Sequence, residues 1–82
     1  MNPPMENSTP LSGLNPGTQA VIVAIQIAPE NRGRLLEMGV LVGTRIELVR
    51  RAPLGDPLEI KVRGYNLSLR KHEADLIQVR PC

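Results

Sequence analysis

The stretch from Ala52 to Gly64, APLGDPLEIKVRG, constrains the fold of this chain more than any other part of the sequence. Pro53 and Pro57 bracket a Leu-Gly-Asp turn, and each proline fixes φ near about −65° and lacks a backbone donor. After the turn, apolar and charged residues alternate, which predicts a half-buried strand. The stretch therefore predicts a stiff loop followed by a β-strand, rather than a flexible linker.

The rest of the sequence favours a mainly β fold. Segments rich in Val, Ile and Leu predict five strands, at 18–28, 45–51, 58–63, 65–69 and 76–80, with a tight hairpin at Arg63-Gly64. The first strand is apolar on both faces, as in a central strand, with Val21, Val23, Ile25 and Ile27 predicted on one side. Five short antiparallel strands with an aliphatic core favour a small barrel, because closure removes exposed sheet edges.

Two short helical segments are predicted between the strands. Residues 32–38, RGRLLEM, follow the first strand, with Asn31 as the N-cap and Gly39 as the left-handed residue after the helix. Residues 70–75, RKHEAD, predict a helical turn before the last strand.

The length of 82 residues predicts a single domain. Residues 1–10, MNPPMENSTP, are polar and proline-rich and predict a disordered tail, so the folded domain is expected at residues 11–82. The lone cysteine, Cys82, excludes an intrachain disulfide and suits a reducing compartment. No secretory leader is apparent, and the longest apolar run is far shorter than the ~18 residues of a membrane span. We expect a soluble, cytoplasmic protein that reaches a membrane only through a partner.

The residue types that carry catalysis and metal binding are sparse. No Ser/His pair or phosphate-binding glycine loop occurs, so we expect no enzymatic activity and no cofactor. His72 is the only histidine and Cys82 the only thiol, whereas zinc sites use three or four ligands. Only Tyr65 could stack on a base, and the net charge is just +2, so nucleic acid is not the expected partner.

Protein binding is the function class that remains. The candidate contact residues are the loop tip, Leu54, Gly55 and Asp56, and the neighbouring arginines, Arg50, Arg51 and Arg63. Leu54 has two interpretations that the sequence leaves open. A buried Leu54 would cap the core, whereas an exposed one would be an apolar anchor rimmed by arginines, as in many interfaces.

Several short motifs follow one another in a defined order. They are L-x-x-L-x-x-G (residues 11–17), R-L-x-x-M-G-V (34–40), G-T-x-I (43–46), A-P-L-G-D-P-L-E-I-x-V-R-G (52–64) and L-S-L-R-K-x-E-A (67–74). In this order and spacing the chain resembles the FeoA family of bacterial ferrous iron transport proteins, from about Leu11 to Val79. The ten-residue tail departs from the family pattern.

The resemblance implies an SH3-like barrel, which agrees with the strands counted above. It also implies a cytosolic, non-enzymatic accessory protein that docks on and regulates the membrane transporter FeoB, whose cytosolic part carries a GTPase domain. Self-association is left open. The alternative function is a stand-alone, metal-dependent regulatory domain similar to the SH3-like domain of iron-dependent repressors, with His72 and either Glu73 or Asp75 as ligands.

Overall fold

The structure, a computed structural model, describes residues 8–82. Six strands form one antiparallel sheet in the spatial order β1-β6-β2-β3-β4-β5. They are β1 (Thr9–Pro10), β2 (Gln19–Ile25), β3 (Arg45–Arg51), β4 (Leu58–Val62), β5 (Tyr65–Leu69) and β6 (Ile77–Pro81). The connections contain the helices α1 (Gly33–Glu37) and α2 (Lys71–Asp75) and the 3-10 turns Leu11–Gly13 and Pro29–Asn31.

This architecture confirms the predicted mainly β class, with a helix after the first long strand and a helical turn before the last. Two details differ from the predicted five-stranded barrel. A sixth strand, β1, pairs with β6, and the sheet is not closed, since β1 and β5 remain its edges. The two residues of β1 include a proline and have no alternating pattern, so nothing in the sequence predicts this strand.

The prediction of a disordered tail at residues 1–10 is wrong for the last two of these residues. Thr9 lies opposite Val79 and Pro10 opposite Gln78, so both residues belong to the sheet. Residues 1–7 of that segment lie outside the described residues.

The core lies on one face of the sheet and is aliphatic, as predicted. The alternation in β3, β4 and β5 is confirmed, with the buried side chains of Ile46, Leu48, Leu58, Ile60, Val62, Leu67 and Leu69 on the inner face. No polar or charged side chain is buried within residues 8–82. The stability of the fold therefore rests on apolar packing and on the hydrogen bonds of the sheet.

Strand β2 is central, between β6 and β3, as its apolar sequence predicts. The prediction that Val21, Val23, Ile25 and Ile27 share one side is wrong. Val21 lies opposite the exposed Arg80, whereas Ile25 lies opposite the buried Ile77, on the side of the buried Ala20 and Ile22. A bulge between Ile22 and Ala24 shifts the register against β6 and interrupts the alternation.

Helix α1 begins one residue later than predicted, at Gly33 instead of Arg32. Asn31 does not cap it, because Pro29 starts a 3-10 turn in which the Asn31 amide donates to the Ala28 carbonyl at 2.8 Å. The predicted end is confirmed. Gly39 has φ +90°, and the amides of Gly39 and Val40 donate to the carbonyls of Leu36 and Leu35, the Schellman arrangement.

Candidate functional site

The loop between β3 and β4 is closed by its own backbone. The Ala52 amide donates to the Pro57 carbonyl at 3.0 Å across the base, and the Gly55 amide donates to the Ala52 carbonyl at 2.7 Å. Pro53 is the second residue of this four-residue turn, the position that its fixed φ favours. Gly55 has φ +86°, a conformation that a side chain would strain. The loop is therefore tight, as its sequence predicts.

The side chain of Asp56 fixes the loop to a distant part of the chain. Its carboxylate accepts a hydrogen bond from the backbone amide of Lys71, at the start of α2, at 3.0 Å. The first amides of a helix have no partner within the helix, so a carboxylate stabilises this position. Asp56 was predicted as a contact residue, and the structure gives it a role in holding the loop.

Leu54 projects from the tip of the loop into solvent. Its relative exposure is 96%, the highest of the large apolar residues on the described surface. This value excludes the core-cap interpretation, and the role of Leu54 as a contact residue stays a prediction. An apolar side chain held in water by a stiff turn loses little conformational freedom on binding, because its backbone is already ordered.

The two arginines at the end of β3 differ in their contacts. Arg50 is exposed and forms an ion pair with Glu59 of β4 at 2.8 Å. Arg51 turns toward the protein, where its guanidinium donates to the carbonyl of Leu14 at 2.6 Å and also to that of Ser12. Both residues line a shallow hollow of about 220 Å³ beside the loop. Arg50 is thus available at the surface, while Arg51 is structural.

Arg63, the remaining predicted contact residue, lies away from the loop tip. It is in the β4–β5 hairpin, at the far end of β4, which is about 13 Å from the start of that strand at 3.3 Å per residue. Its φ of 53°, with φ 88° at Gly64, gives the positive pair of a type I′ turn. Its side chain lies against Gly39. The structure therefore brings together Leu54, Gly55, Asp56, Arg50 and Arg51, but not Arg63.

The carboxylate of Glu59 sits between two donors at the surface. The hydrogen bond from Arg50, and next that from the Asn66 amide at 2.5 Å, hold the pKa of Glu59 below its ordinary value of 4.5. A bond from the Ser12 hydroxyl likewise lowers the pKa of Asp75. Both carboxylates are thus stabilised in the charged form, the opposite of what a general acid at neutral pH requires.

The two carboxylates proposed as metal ligands beside His72 already have hydrogen-bond partners. Glu73 accepts two contacts from Arg34 at 3.1 Å and one from the Arg70 amide at 3.0 Å. Asp75 is held by Ser12 and by Lys71, the latter at 3.4 Å. Within the described part of the chain, no three His, Cys, Asp or Glu side chains are placed to hold a metal ion together.

Sequence reasoning missed a second basic position next to the loop. Arg34 on α1 and Arg70 before α2 line an open hollow of about 490 Å³ together with Pro57 and Ser68. Arg34 and Arg70 are 36 residues apart in the sequence, so no local pattern places them together. Only the packing of α1 beside the end of β5 does so.

The sequence model of the FeoA domain matches residues 9–81 of the chain. The chain belongs to the FeoA family. This confirms the resemblance found in the motifs, and FeoA proteins are accessory proteins of ferrous iron transport.

Relatives include a fusion of Fe(2+) transport protein A with the Fe(2+) transporter FeoB from Porphyromonas gingivalis, 45% identical over 69 residues. The match covers 84% of this chain and 8% of the fusion protein. The chain thus corresponds to a small part of that relative.

Solved structures agree with the fold. Iron(II) transport protein A from Clostridium thermocellum is 44% identical, with a TM-score of 0.84 over 89% of this chain and 45% of that one. Stenotrophomonas maltophilia FeoA, solved with zinc and described as an SH3 domain protein, is 33% identical, with a TM-score of 0.69 over 84% of this chain and 86% of that one. A manganese-dependent repressor at 17% identity and TM-score 0.84 shares the fold alone.

In residues 8–82 no helix combines the length and the apolar character that a membrane crossing requires.

Proposed function

We propose that this chain is a non-enzymatic, cytoplasmic accessory protein that docks on the cytosolic side of an FeoB-type transporter and regulates ferrous iron uptake. The observation that carries the proposal is the Porphyromonas gingivalis fusion protein, in which a relative of this chain is part of the same polypeptide as FeoB. Fusion of two proteins in one organism favours their association as separate chains in another.

The docking contact that we propose is the loop tip with Leu54. The turn holds an apolar side chain 96% exposed, and Arg50 at the base of the loop is also exposed. This combination of an apolar anchor and a charged rim is common in protein interfaces. The arginine would add specificity and speed of association more than affinity.

The test measures binding of the purified chain to the cognate FeoB transporter in detergent and to its cytosolic GTPase domain, together with the rate of GTP hydrolysis. We expect saturable binding to the transporter and a change in the hydrolysis rate. Absence of binding to both forms, with no change in hydrolysis, would contradict the proposal.

The loop contact is tested with Leu54→Asp. Burial of a leucine side chain contributes about 1.5–3 kcal/mol, so binding should weaken by about tenfold or more. Val42→Asp is the matched control, because Val42 is also exposed, at 62%, but lies on the connection between α1 and β3. Both variants should unfold at the same temperature as the parent chain. Equal affinity of the two variants for the transporter would show that Leu54 is not part of the interface.

A further inference from the structure

The two edges of the sheet are protected to different degrees. At one edge, β1 has only two residues and ends in Pro10. At the other edge, β5 has five residues, YNLSL, without a charge, a proline or a glycine. Natural proteins usually protect a sheet edge by shortness, charge or proline, because an unprotected edge can pair with another chain. Strand β5 has none of these devices in its own sequence.

The hairpin register identifies the backbone groups that β5 offers. Val62 and Tyr65 flank a two-residue turn, in which the first and fourth residues are hydrogen-bonded. In an antiparallel pair, hydrogen-bonded and non-hydrogen-bonded positions alternate. The backbone amide and carbonyl of Leu67 therefore also point toward β4. The amides and carbonyls of Asn66 and Ser68 therefore point away from β4, and no described backbone group bonds them.

The open edge has room for a ligand at one end only. Near Tyr65, helix α1 is close, since the tyrosine hydroxyl donates to the Met38 carbonyl. Near Ser68, the hollow of about 490 Å³ lies between α1, the β3–β4 loop and the end of β5. The accessible part of the edge is thus Asn66–Ser68, in which the residues Asn66 and Ser68 are exposed.

The charges around this end of the edge favour an anionic ligand. Arg34 and Arg70 line the hollow, and Arg70 forms no ion pair with residues 8–82. The nearby carboxylates are already engaged, Glu73 by Arg34 and Asp56 by the backbone amide of Lys71. The residues that line the hollow include two guanidinium groups and no carboxylate, so a carboxylate entering it would meet the two-donor geometry of the Arg70 guanidinium.

We propose that Asn66–Ser68 bind a short, extended, acidic segment of the transporter as an added β-strand, with an acidic side chain of that segment on Arg70. Main-chain hydrogen bonds to an edge strand supply affinity, and side-chain pockets supply specificity. The inference rests on the proposed function and identifies the kind of segment that would dock beside the Leu54 loop.

Amide hydrogen exchange in the complex is the first test. The chain is exchanged while bound to the cognate FeoB transporter in detergent, quenched, and analysed residue by residue by NMR. The outward amides of Asn66 and Ser68 should exchange at least about tenfold more slowly than in the free chain, because each gains a carbonyl partner. The amide of Leu67, already bonded to β4, should exchange slowly in both states and serves as the control.

Two variants test the contacts separately. Arg70→Glu should weaken binding by about tenfold, because a charge-assisted pair becomes a repulsion. Arg45→Glu, an exposed arginine at the start of β3, should bind like the parent. Ser68→Pro removes an outward amide, which an edge strand tolerates, and should weaken binding, while Ser68→Thr should not.

The outcomes separate this inference from the proposed function. Binding without protection at Asn66 and Ser68, or equal affinity of the Arg70→Glu and Arg45→Glu variants, overturns the added strand and leaves docking intact. If Ser68→Pro does not fold, the exchange data and the comparison of Arg70→Glu with Arg45→Glu still test the added strand. Absence of any binding overturns the proposed function, and the added strand with it.

Discussion

The two turns that flank β4 are both tight, but different parts of the chain hold them. The hairpin at Arg63-Gly64 is fixed locally, by positive φ values of 53° and 88° and by the strands on either side. The loop Ala52–Pro57 is also fixed from outside, through the bond from the Lys71 amide to Asp56. Arg51, next to this loop, bonds the carbonyl of Leu14 in the same way, across 37 residues.

The difference separates a turn that sets the register of two strands from a turn that presents a side chain. A hairpin turn that needs positive φ at both residues determines strand pairing, and its side chains need no further contact. A loop braced by distant contacts can keep Leu54 in solvent without becoming mobile. The predictions below test whether the loop depends on those contacts, and whether backbone conformation or crowding by the hairpin residue Arg63 constrains Gly39.

The largest effect is expected from Arg51→Met. The variant keeps the apolar stem of the side chain but removes the guanidinium, which leaves the carbonyls of Ser12 and Leu14 without that donor. Because the site is half-buried, the free energy of unfolding should fall by about 2–3 kcal/mol. Arg50→Met, which breaks an exposed ion pair, should lower the free energy of unfolding by less than about 1 kcal/mol. Urea denaturation measures both. Equal losses would show that Arg51 does not brace the loop.

Gly39→Ala should lower the free energy of unfolding by about 1–2 kcal/mol, because φ +90° disfavours a side chain. The added Cβ would also lie 2.7 Å from Cδ of Arg63, a flexible side chain that can move. Adding Arg63→Ala should therefore restore only a minor part of the loss. Gly33→Ala in α1, where nothing lies within 4 Å, is the control and should be neutral or stabilising. Full rescue by Arg63→Ala would show that crowding, not φ, is the cause.

Asp56→Ala should lower the free energy of unfolding by about 1 kcal/mol, since the Lys71 amide loses its acceptor. Asp56→Asn keeps an acceptor oxygen and should lower the free energy of unfolding by less. Thermal unfolding of the two variants measures the difference. If they are equally stable, the bond to α2 does not hold the loop.

The smallest effect is a pH dependence at Glu59. Its pKa is lowered in the folded chain, first by the bond from Arg50, so the charged form stabilises the fold above the unfolded pKa, near 4.5. This contribution should disappear as the pH falls through the lower, folded pKa. Glu59→Gln should therefore weaken the acid dependence of unfolding below about pH 4.5, and so should Arg50→Met. An unchanged acid profile in both variants would show that this ion pair is not formed in solution.

Much of the fold could be predicted because the determining patterns are local. The alternation in β3, β4 and β5, the positive-φ hairpin, and the glycine that ends α1 each depend on residues close in sequence. The errors in the sheet occur where tertiary contacts decide. The bulge in β2 and the pairing of Thr9–Pro10 both depend on β6, which lies more than 50 residues away.

The candidate site divides in the same way. The sequence identified a stiff loop with an apolar tip, because proline and glycine restrict the backbone wherever they occur. It could not decide whether Leu54 is buried, since exposure depends on what packs over the loop. It also grouped Arg63 with the loop, because residues near in sequence can lie at opposite ends of a strand.

By itself the sequence determined the mainly β class, the aliphatic core, the tight turns on both sides of β4, and membership of the FeoA family through the order of its motifs. The tertiary structure alone decided that Leu54 is exposed, that Arg51 supports the backbone while Arg50 stays at the surface, and that Arg34 and Arg70 meet beside the open edge of β5. The physical reason is the range of the interactions: backbone restriction acts within a few residues, whereas burial and charge pairing depend on every element that packs nearby.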